Sequence, residues 1–298
     1  MPRLLDVFFR FLRLGCTSFG GPVAHLAYFE REFVSQRKWL DHDTFGECVA
    51  LTALLPGPGS SQTGMLIGWL RAGPFGALAA WAGFTLPSAA LMTAFALALP
   101  AADPHAGWLH GLLLVATAVV ASAIATVRAS LAPDALRVIF ALAIMGLVLL
   151  VPVPVVAPLA VLLAAAFGAF ILYGRVKTTE PKLDLGVSRR NAVTALVLLG
   201  LAFVVLAVWS ARGSQLAMLV NVLFRVGSLV FGGGHVVLPL LQSQMARTGI
   251  VGSSAILAGY GAAQAVPGPL FTISSYIGAT AFGGSLAVTG AVAGTIAI

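Results

Sequence analysis

Charged residues are scarce in this sequence, and their scarcity excludes a soluble globular fold. Asp, Glu, Lys and Arg make up 9% of the 298 residues, whereas a soluble domain carries about 25%. With 59% hydrophobic residues, the chain has too little polar surface to cover itself in water. Cysteine is scarce too: Cys16 and Cys48 form no spacing motif, which argues against a disulfide or a cysteine metal site.

Catalytic motifs are also missing. The sequence has no metal-ligand cluster, nucleophile elbow or phosphate-binding loop, and a membrane enzyme would need one of these. We therefore expect no enzyme activity, no metal and no cofactor. The net charge of +7 does not indicate nucleic-acid binding, because the basic residues fall in loops, where they set membrane orientation.

What the sequence has instead is a series of apolar runs, each close to or longer than the roughly 20 residues that span a bilayer. They cover residues 76–99, 108–127, 136–173 and 192–209. Prolines divide the third run into two spans. This pattern predicts an all-α, polytopic integral membrane protein. The loop 174–190 carries five Lys and Arg residues and is therefore expected to be cytoplasmic. Segments 7–29 and 44–70 either span or re-enter, and charge does not decide between these two alternatives.

The two ends of the chain resemble each other. Arg13, Gly15, Phe19, Gly20 and Gly21 recur at an offset of 212, and the Pro-Gly-Pro of residues 56–58 recurs at 267–269, an offset of 211. We interpret the chain as a first repeat (1–180), a cytoplasmic linker (181–191) and a second repeat (192–298). Charge places the repeats in inverted orientation. The second repeat is expected to lack its C-terminal part.

Each repeat contains a glycine-rich break in an apolar segment: SFGGPVAH (18–25) and FGGGHVVLP (231–239). Paired broken helices are typical of transporters, where irregular backbone lines the substrate path. A half-helix starting at such a break favours an anion; close helix packing is the alternative. The substrate-binding candidates here are Ser18, Gly20, Gly21, His25, Gly232, Gly233, Gly234 and His235.

The Pro-Gly-Pro motifs are the second pair of breaks. Prolines lack an N–H donor, so carbonyls one turn back lose their partners. The candidates are Pro56, Gly57, Pro58, Ser60, Ser61, Gln264, Pro267, Gly268, Pro269 and Thr272. Hydroxyls after each motif, including those of Ser274 and Ser275, either cap the resumed helix or bind a polar solute. We predict that the two motifs face one another near the membrane midplane around an oxyanion path.

Few charged or titratable residues fall inside the apolar segments. Arg225 is expected to lie well inside the membrane and to contact the substrate, whereas its counterpart Arg13 is either functional or interfacial. The candidates for proton coupling are His25, Glu47 and His235.

At these residues the sequence resembles the chromate ion transporter family. The resemblance rests on residues 18–34, 54–73, 231–241 (FGGGHVVLPLL) and 259–279 (GYGAAQAVPGPLFTISSYIGA) and covers essentially the whole chain. It implies a two-halved inner-membrane protein that exports chromate, confers resistance and is driven by the proton gradient. Two features depart from the family pattern: Ala53 replaces its usual glutamine, and the chain ends before its usual last helices.

The sequence thus favours a secondary transporter that exports chromate across the bacterial inner membrane. The alternatives are a transporter of sulfate or another oxyanion, an enzyme acting on a lipid phosphate, and a nonfunctional or regulatory membrane fragment. The expected partners are an oxyanion and the lipid bilayer, with no nucleic acid; a homo-oligomer is left open.

Overall fold

The computed structural model describes residues 2–98, 134–150, 183–230 and 234–298, together with isolated positions between 107 and 168. Within these residues every regular element is a helix. Met1–Val119 and Lys182–Ile298 together form one compact unit, and Val120–Pro181 forms another. The breaks identified in the sequence all belong to the first of these units. The predicted repeat boundary near residue 180 lies outside the described residues.

The helices of the N-terminal half are short except for the last one in the larger unit. They are α1 (Pro2–Thr17), α2 (Gly21–Phe29), the π-helix Glu30–Gln36, α3 (His42–Leu54) and α4 (Gly59–Ala98), followed in the other unit by α5 (Ala135–Leu150). Asp41 fixes the start of α3, because its carboxylate accepts a hydrogen bond from the Thr44 amide at 2.7 Å.

The C-terminal half begins with a long helix and continues with shorter ones. They are α6 (Arg189–Ser210), α7 (Gln215–Leu229), α8 (Gly234–Thr248), α9 (Ser253–Ala265), α10 (Ile273–Phe282) and α11 (Ala287–Ala297). The 3-10 turns Leu270–Thr272 and Gly284–Leu286 precede α10 and α11. Ser188 and Ser214 cap α6 and α7.

In the described part of the chain, α4 and α6 are long and apolar enough to cross a membrane. They have 40 and 22 residues, and the most apolar 18-residue stretches within them have mean hydropathies of 1.4 and 2.7. The apolar side chains of α6 face outward, and its most apolar stretch has no buried residue. Such a surface suits lipid rather than water. The predicted all-α membrane fold is confirmed, whereas most of the span predicted at 108–127 and most of the second span of the run 136–173 lie outside the described residues.

Helix α4 is a hairpin with two arms, residues 59–71 and 74–98. Ala72 and Gly73 leave helical geometry, and Gly73 has a φ of 67°. The arms touch closely, because a Cβ on Gly68 would collide with the backbone of Gly76. Residues 44–70 therefore form two short helices around the Pro-Gly-Pro break. The 13 residues of α3 extend only about 20 Å, less than the roughly 30 Å of a bilayer core, so α3 does not span a bilayer by itself.

The second half contains the same hairpin. Helices α10 and α11 are joined through Gly283, which has a φ of 59°. A Cβ on Gly278 would collide with the backbone of Gly290, so these helices also touch. In each half the turn glycine follows the packing glycine by five positions, as Gly73 follows Gly68. The internal similarity of the sequence thus corresponds to a repeated local structure.

Helix α1 packs on the second arm of α4 with almost no side chain between the backbones. A Cβ on Gly15 would lie 2.7 Å from the Phe84 carbonyl oxygen, and one on Gly83 would lie 2.6 Å from the Phe8 oxygen. Buried aromatic rings flank this contact, with Phe11 and Phe33 stacked at 4.9 Å between ring centroids. Small residues permit such close contacts between helices in membranes. The packing places the end of α1, at Ser18, beside α4.

Candidate functional site

Both Pro-Gly-Pro motifs break a helix. The first separates α3 from α4, and the second separates α9 from the turn that leads into α10. The central glycines have positive φ angles, 123° at Gly57 and 92° at Gly268, which residues with a Cβ rarely adopt. The flanking prolines offer no N–H, so in each motif the glycine amide is the only backbone donor.

Each motif is bonded to the other half of the protein. The Gly57 amide donates to the carbonyl oxygen of Val230 at 2.7 Å, and the Gly268 amide donates to that of Ser18 at 2.9 Å. Ser18 and Val230 are counterparts at the offset of 212 and lie at the ends of α1 and α7. The two bonds are therefore reciprocal, and they bring the breaks of both halves together.

The first carbonyl of each motif is satisfied by a side chain. Gln62 donates from its Nε2 to the Pro56 oxygen at 2.8 Å. Ser88, which is fully buried, donates from its Oγ to the Pro267 oxygen at 2.6 Å. A buried carbonyl without a donor would be destabilising, so these two bonds make the breaks compatible with a buried position.

A small cavity lies where the two motifs meet. Its volume of about 20 Å³ is room for about one water molecule. It is lined by Pro58, Ser61, Trp81, Thr85, Pro269, Phe271, Thr272, Ser274, Thr295 and Ile298. We call this space the inter-repeat cavity. Among the described residues, no charged side chain lines it.

The lining of the inter-repeat cavity follows the internal repeat. Pro58 and Pro269 are counterparts, as are Ser61 and Thr272, and Thr85 has a matching hydroxyl 210 residues later. Ser61 belongs to the first turn of α4, and Thr272 directly precedes α10. Two helix N-termini therefore border one cavity. The positive ends of their dipoles favour an anion there.

The hydroxyl groups of the second half differ in their bonding. Thr272 donates from its Oγ1 to the Pro269 carbonyl at 2.8 Å. Thr295 donates to a carbonyl of its own helix at 2.7 Å and contacts the hydroxyl of Ser275, also at 2.7 Å. In the described chain, the buried Oγ of Ser274 has no hydrogen-bond partner.

His25 lies close to these breaks but outside the cavity wall. Its ring is fully buried, with Nδ1 3.3 Å from the Ser60 Oγ and the ring edge-on to Phe84 at 5.1 Å between centroids. Its Nε2 has no hydrogen-bond partner among the described residues, and the same is true of the buried Ser18 Oγ. The structure thus joins Ser18, His25 and Ser60, three of the predicted site residues, in one buried region.

Arg225 is exposed on the surface of α7, so its predicted contact with the substrate stays a prediction. The buried face of α7 is formed by Leu219, Val222, Leu223 and Val226, whose spacing of three and four residues defines one stripe of a helix. Arg225 falls outside that stripe and does not line the inter-repeat cavity. Its counterpart Arg13 is exposed as well.

Other predicted residues take different places. Gly20 and Gly21 have positive φ angles of 98° and 76° and start α2. Gln264 is half-buried at the end of α9, and Glu47 is half-buried on α3; neither lines the cavity. Gly234 is the first residue of α8. Gly232, Gly233 and the side chain of His235 lie outside the described residues.

Sequence reasoning missed part of the cavity wall. It did not select Trp81, Thr85, Phe271, Thr295 or Ile298. Thr85 and Thr295 carried a usable signal, because they are counterparts at the offset of 210 set by Ile67-Gly68 and Ile277-Gly278.

Comparison of the sequence with known protein families identifies the family to which this chain belongs. The family model described as chromate transporter matches residues 5–170 and 217–298, which include both glycine-rich segments and both Pro-Gly-Pro motifs. This chain belongs to the chromate transporter family. Membership makes it a multi-pass membrane protein with a role in ion transport, as the resemblance implied.

Curated relatives match along most of the chain. An uncharacterized transporter of Methanocaldococcus jannaschii is 26% identical over 93% of this chain and 69% of its own length. A probable chromate transport protein of Synechococcus elongatus is 27% identical, covering 90% and 67%. A chromate transport protein of Pseudomonas aeruginosa is 26% identical, covering 95% and 68%. The chain therefore spans about two thirds of the length of these relatives. No solved structure matches it.

Proposed function

We propose that this protein is a secondary transporter that exports chromate across the bacterial inner membrane and so confers chromate resistance. The observation that carries the proposal is the convergence of two helix N-termini on one small cavity, in a chain of the chromate transporter family. The cavity offers hydroxyl groups and helix dipoles, which suit a tetrahedral dianion that accepts hydrogen bonds on every oxygen.

The physics of export fits this substrate. A dianion leaving a cell that is negative inside gains about 2.3 kcal/mol per charge for each 100 mV of membrane potential. Neutral donors also hold an anion without the deep trap that a buried cation would form, so release on the far side is not blocked. The absence of a charged group from the described cavity wall is therefore compatible with transport rather than storage.

The structure represents a closed state in this proposal. A cavity of about 20 Å³ holds one water molecule, whereas chromate has four oxygens around one chromium. Substrate entry then requires the halves to separate at the Pro-Gly-Pro motifs, in the rocking motion that inverted repeats support in other transporters. The inverted orientation of the repeats belongs to the proposal.

Proton coupling is assigned to His25. Its imidazole is buried and lies 3.3 Å from Ser60, one residue before Ser61 in the cavity wall. A histidine beside the path can take up a proton as the dianion leaves. Glu47 and His235 are the other candidates. We expect His25→Gln to uncouple chromate movement from the pH gradient, measured as uptake at fixed membrane potential with and without a proton ionophore.

The decisive experiment is chromate uptake by everted membrane vesicles that contain the protein. We expect time-dependent uptake that excess sulfate reduces only in part. Complete competition by sulfate would favour the general oxyanion transporter, which the neutral donors of the cavity also suit. If the folded protein is present in the vesicles and no chromate enters, the proposal is wrong and a nonfunctional or regulatory role takes its place.

A further inference from the structure

Ser274 has a place in the cavity wall that internal bonding does not explain. Its side chain is fully buried and lines the inter-repeat cavity, yet its Oγ has no hydrogen-bond partner in the described chain. Folded proteins rarely leave a buried hydroxyl in this condition, because the lost hydration is not recovered. A group of this kind is explained when a ligand supplies the missing partner.

The other half of the protein shows how such a hydroxyl is satisfied when it serves the fold. The counterpart of Ser274 is Thr63, whose Oγ1 lies 2.8 Å from that of Thr52 and donates to the Gly59 carbonyl at 2.9 Å. Thr52 in turn has Ala263 as its counterpart. The second half therefore lacks the partner hydroxyl, and Ser274, unlike Thr63, is among the residues that line the cavity.

We propose that Ser274 donates a hydrogen bond directly to the transported oxyanion and is a specificity-determining residue of the transporter. The inference rests on the proposed function and deepens it. Ser274 is the second residue of α10, so its hydroxyl acts together with the positive end of that helix. Thr272 and Thr295, which share the wall, have already donated their protons to backbone carbonyls.

The neighbouring Ser275 provides a matched control. Both serines are fully buried, but Ser275 is paired with Thr295 at 2.7 Å and does not line the cavity. Ser274→Ala should preserve or raise the apparent Tm without ligand, because it removes an unsatisfied polar group. Ser275→Ala should lower the apparent Tm, because it removes an internal hydrogen bond. The two variants thus separate a ligand contact from a structural one.

The experiment measures thermal unfolding of the purified full chain in detergent across a chromate titration, and the KM of vesicle uptake. A ligand that binds the folded state raises the apparent Tm. We expect Ser274→Ala to need roughly tenfold to a hundredfold more chromate for the same Tm shift, with a similar rise in KM, as befits a lost hydrogen bond to a charged group. Ser275→Ala should keep the chromate dependence of the unchanged protein.

Two outcomes would contradict the proposals, and they are distinguishable. If the unchanged protein neither responds to chromate nor takes it up, the proposed function fails and the role of Ser274 fails with it. If the unchanged protein responds and Ser274→Ala responds equally, the proposed function stands and the role of Ser274 is wrong. A loss of apparent Tm in Ser274→Ala that matches Ser275→Ala would also assign Ser274 to the fold.

Discussion

The two Pro-Gly-Pro breaks share a sequence motif but differ in what holds them. In the first break, the Pro56 carbonyl accepts a hydrogen bond at 2.8 Å from Gln62, which lies in the first turn of α4 in the same half. In the second break, the Pro267 carbonyl accepts a hydrogen bond at 2.6 Å from Ser88 on α4, which belongs to the other half. A duplicated motif can therefore keep its backbone geometry while its support moves from local to distant residues.

The surroundings of the two glycines differ in the same sense. A Cβ on Gly57 would meet the end of the Gln62 side chain, which is flexible. A Cβ on Gly268 would collide with the Ser88 Oγ and would lie 3.2 Å from the backbone oxygens of Gly15 and Phe84. The second break is thus packed against the backbones of α1 and α4, which cannot shift to admit a larger residue. The first break is packed against a side chain that can rotate away.

The largest expected effect comes from Gly268→Ala. Strain at positive φ and overpacking against fixed backbone should together cost about 2–5 kcal/mol. Gly57→Ala should cost less, about 1–3 kcal/mol, because the Gln62 side chain can move aside. The measurement is the apparent Tm of each purified variant in detergent.

Gly46→Ala is the control for both glycine variants. Gly46 lies on α3 with no atom within 4 Å of an added Cβ. The apparent Tm of the Gly46→Ala variant should therefore not fall. An equal loss of Tm in Gly57→Ala and Gly268→Ala would show that the two breaks are held alike, and the comparison would then be wrong.

A smaller effect is expected when the side-chain donors are removed. Ser88→Ala leaves the buried Pro267 carbonyl without its donor and should cost about 1–3 kcal/mol. Gln62→Ala should cost about 0.5–1.5 kcal/mol, because Pro56 is only half-buried and other donors can replace the lost one. Chemical unfolding in detergent measures both. A larger loss in Gln62→Ala than in Ser88→Ala would reverse the assignment of which break depends on distant support.

The smallest effect is expected at the exposed arginine of α7. Arg225→Ala should leave chromate uptake by everted vesicles within about twofold of the unchanged protein, because its side chain faces away from the inter-repeat cavity and exposed charges contribute little. Arg212→Ala, also exposed, is the comparison. A selective loss of uptake in Arg225→Ala would place the path along α7 and contradict the cavity assignment.

The sequence predicted where helices break better than which way side chains face. Proline and glycine act on the backbone itself, so the breaks at 56–58 and 267–269 were readable from residue type and from their repetition. The orientation of Arg225 was not, because both faces of a membrane helix are apolar and periodicity no longer separates lipid from core. Ser274 was one of several candidate hydroxyls, and its bonding and its place in the cavity wall distinguish it from Ser275.

The reciprocal bonds of Gly57 and Gly268 join backbone atoms only. The backbone donors and acceptors of these two bonds are present whatever side chains surround them. The sequences of the two halves can therefore differ around the motifs without loss of the two hydrogen bonds. The motifs bear this out within one chain: after the shared Pro-Gly-Pro, Ser60 stands opposite Phe271 and Gln62 opposite Ile273. Two similar halves held together in this way leave each half free to carry its own chemistry.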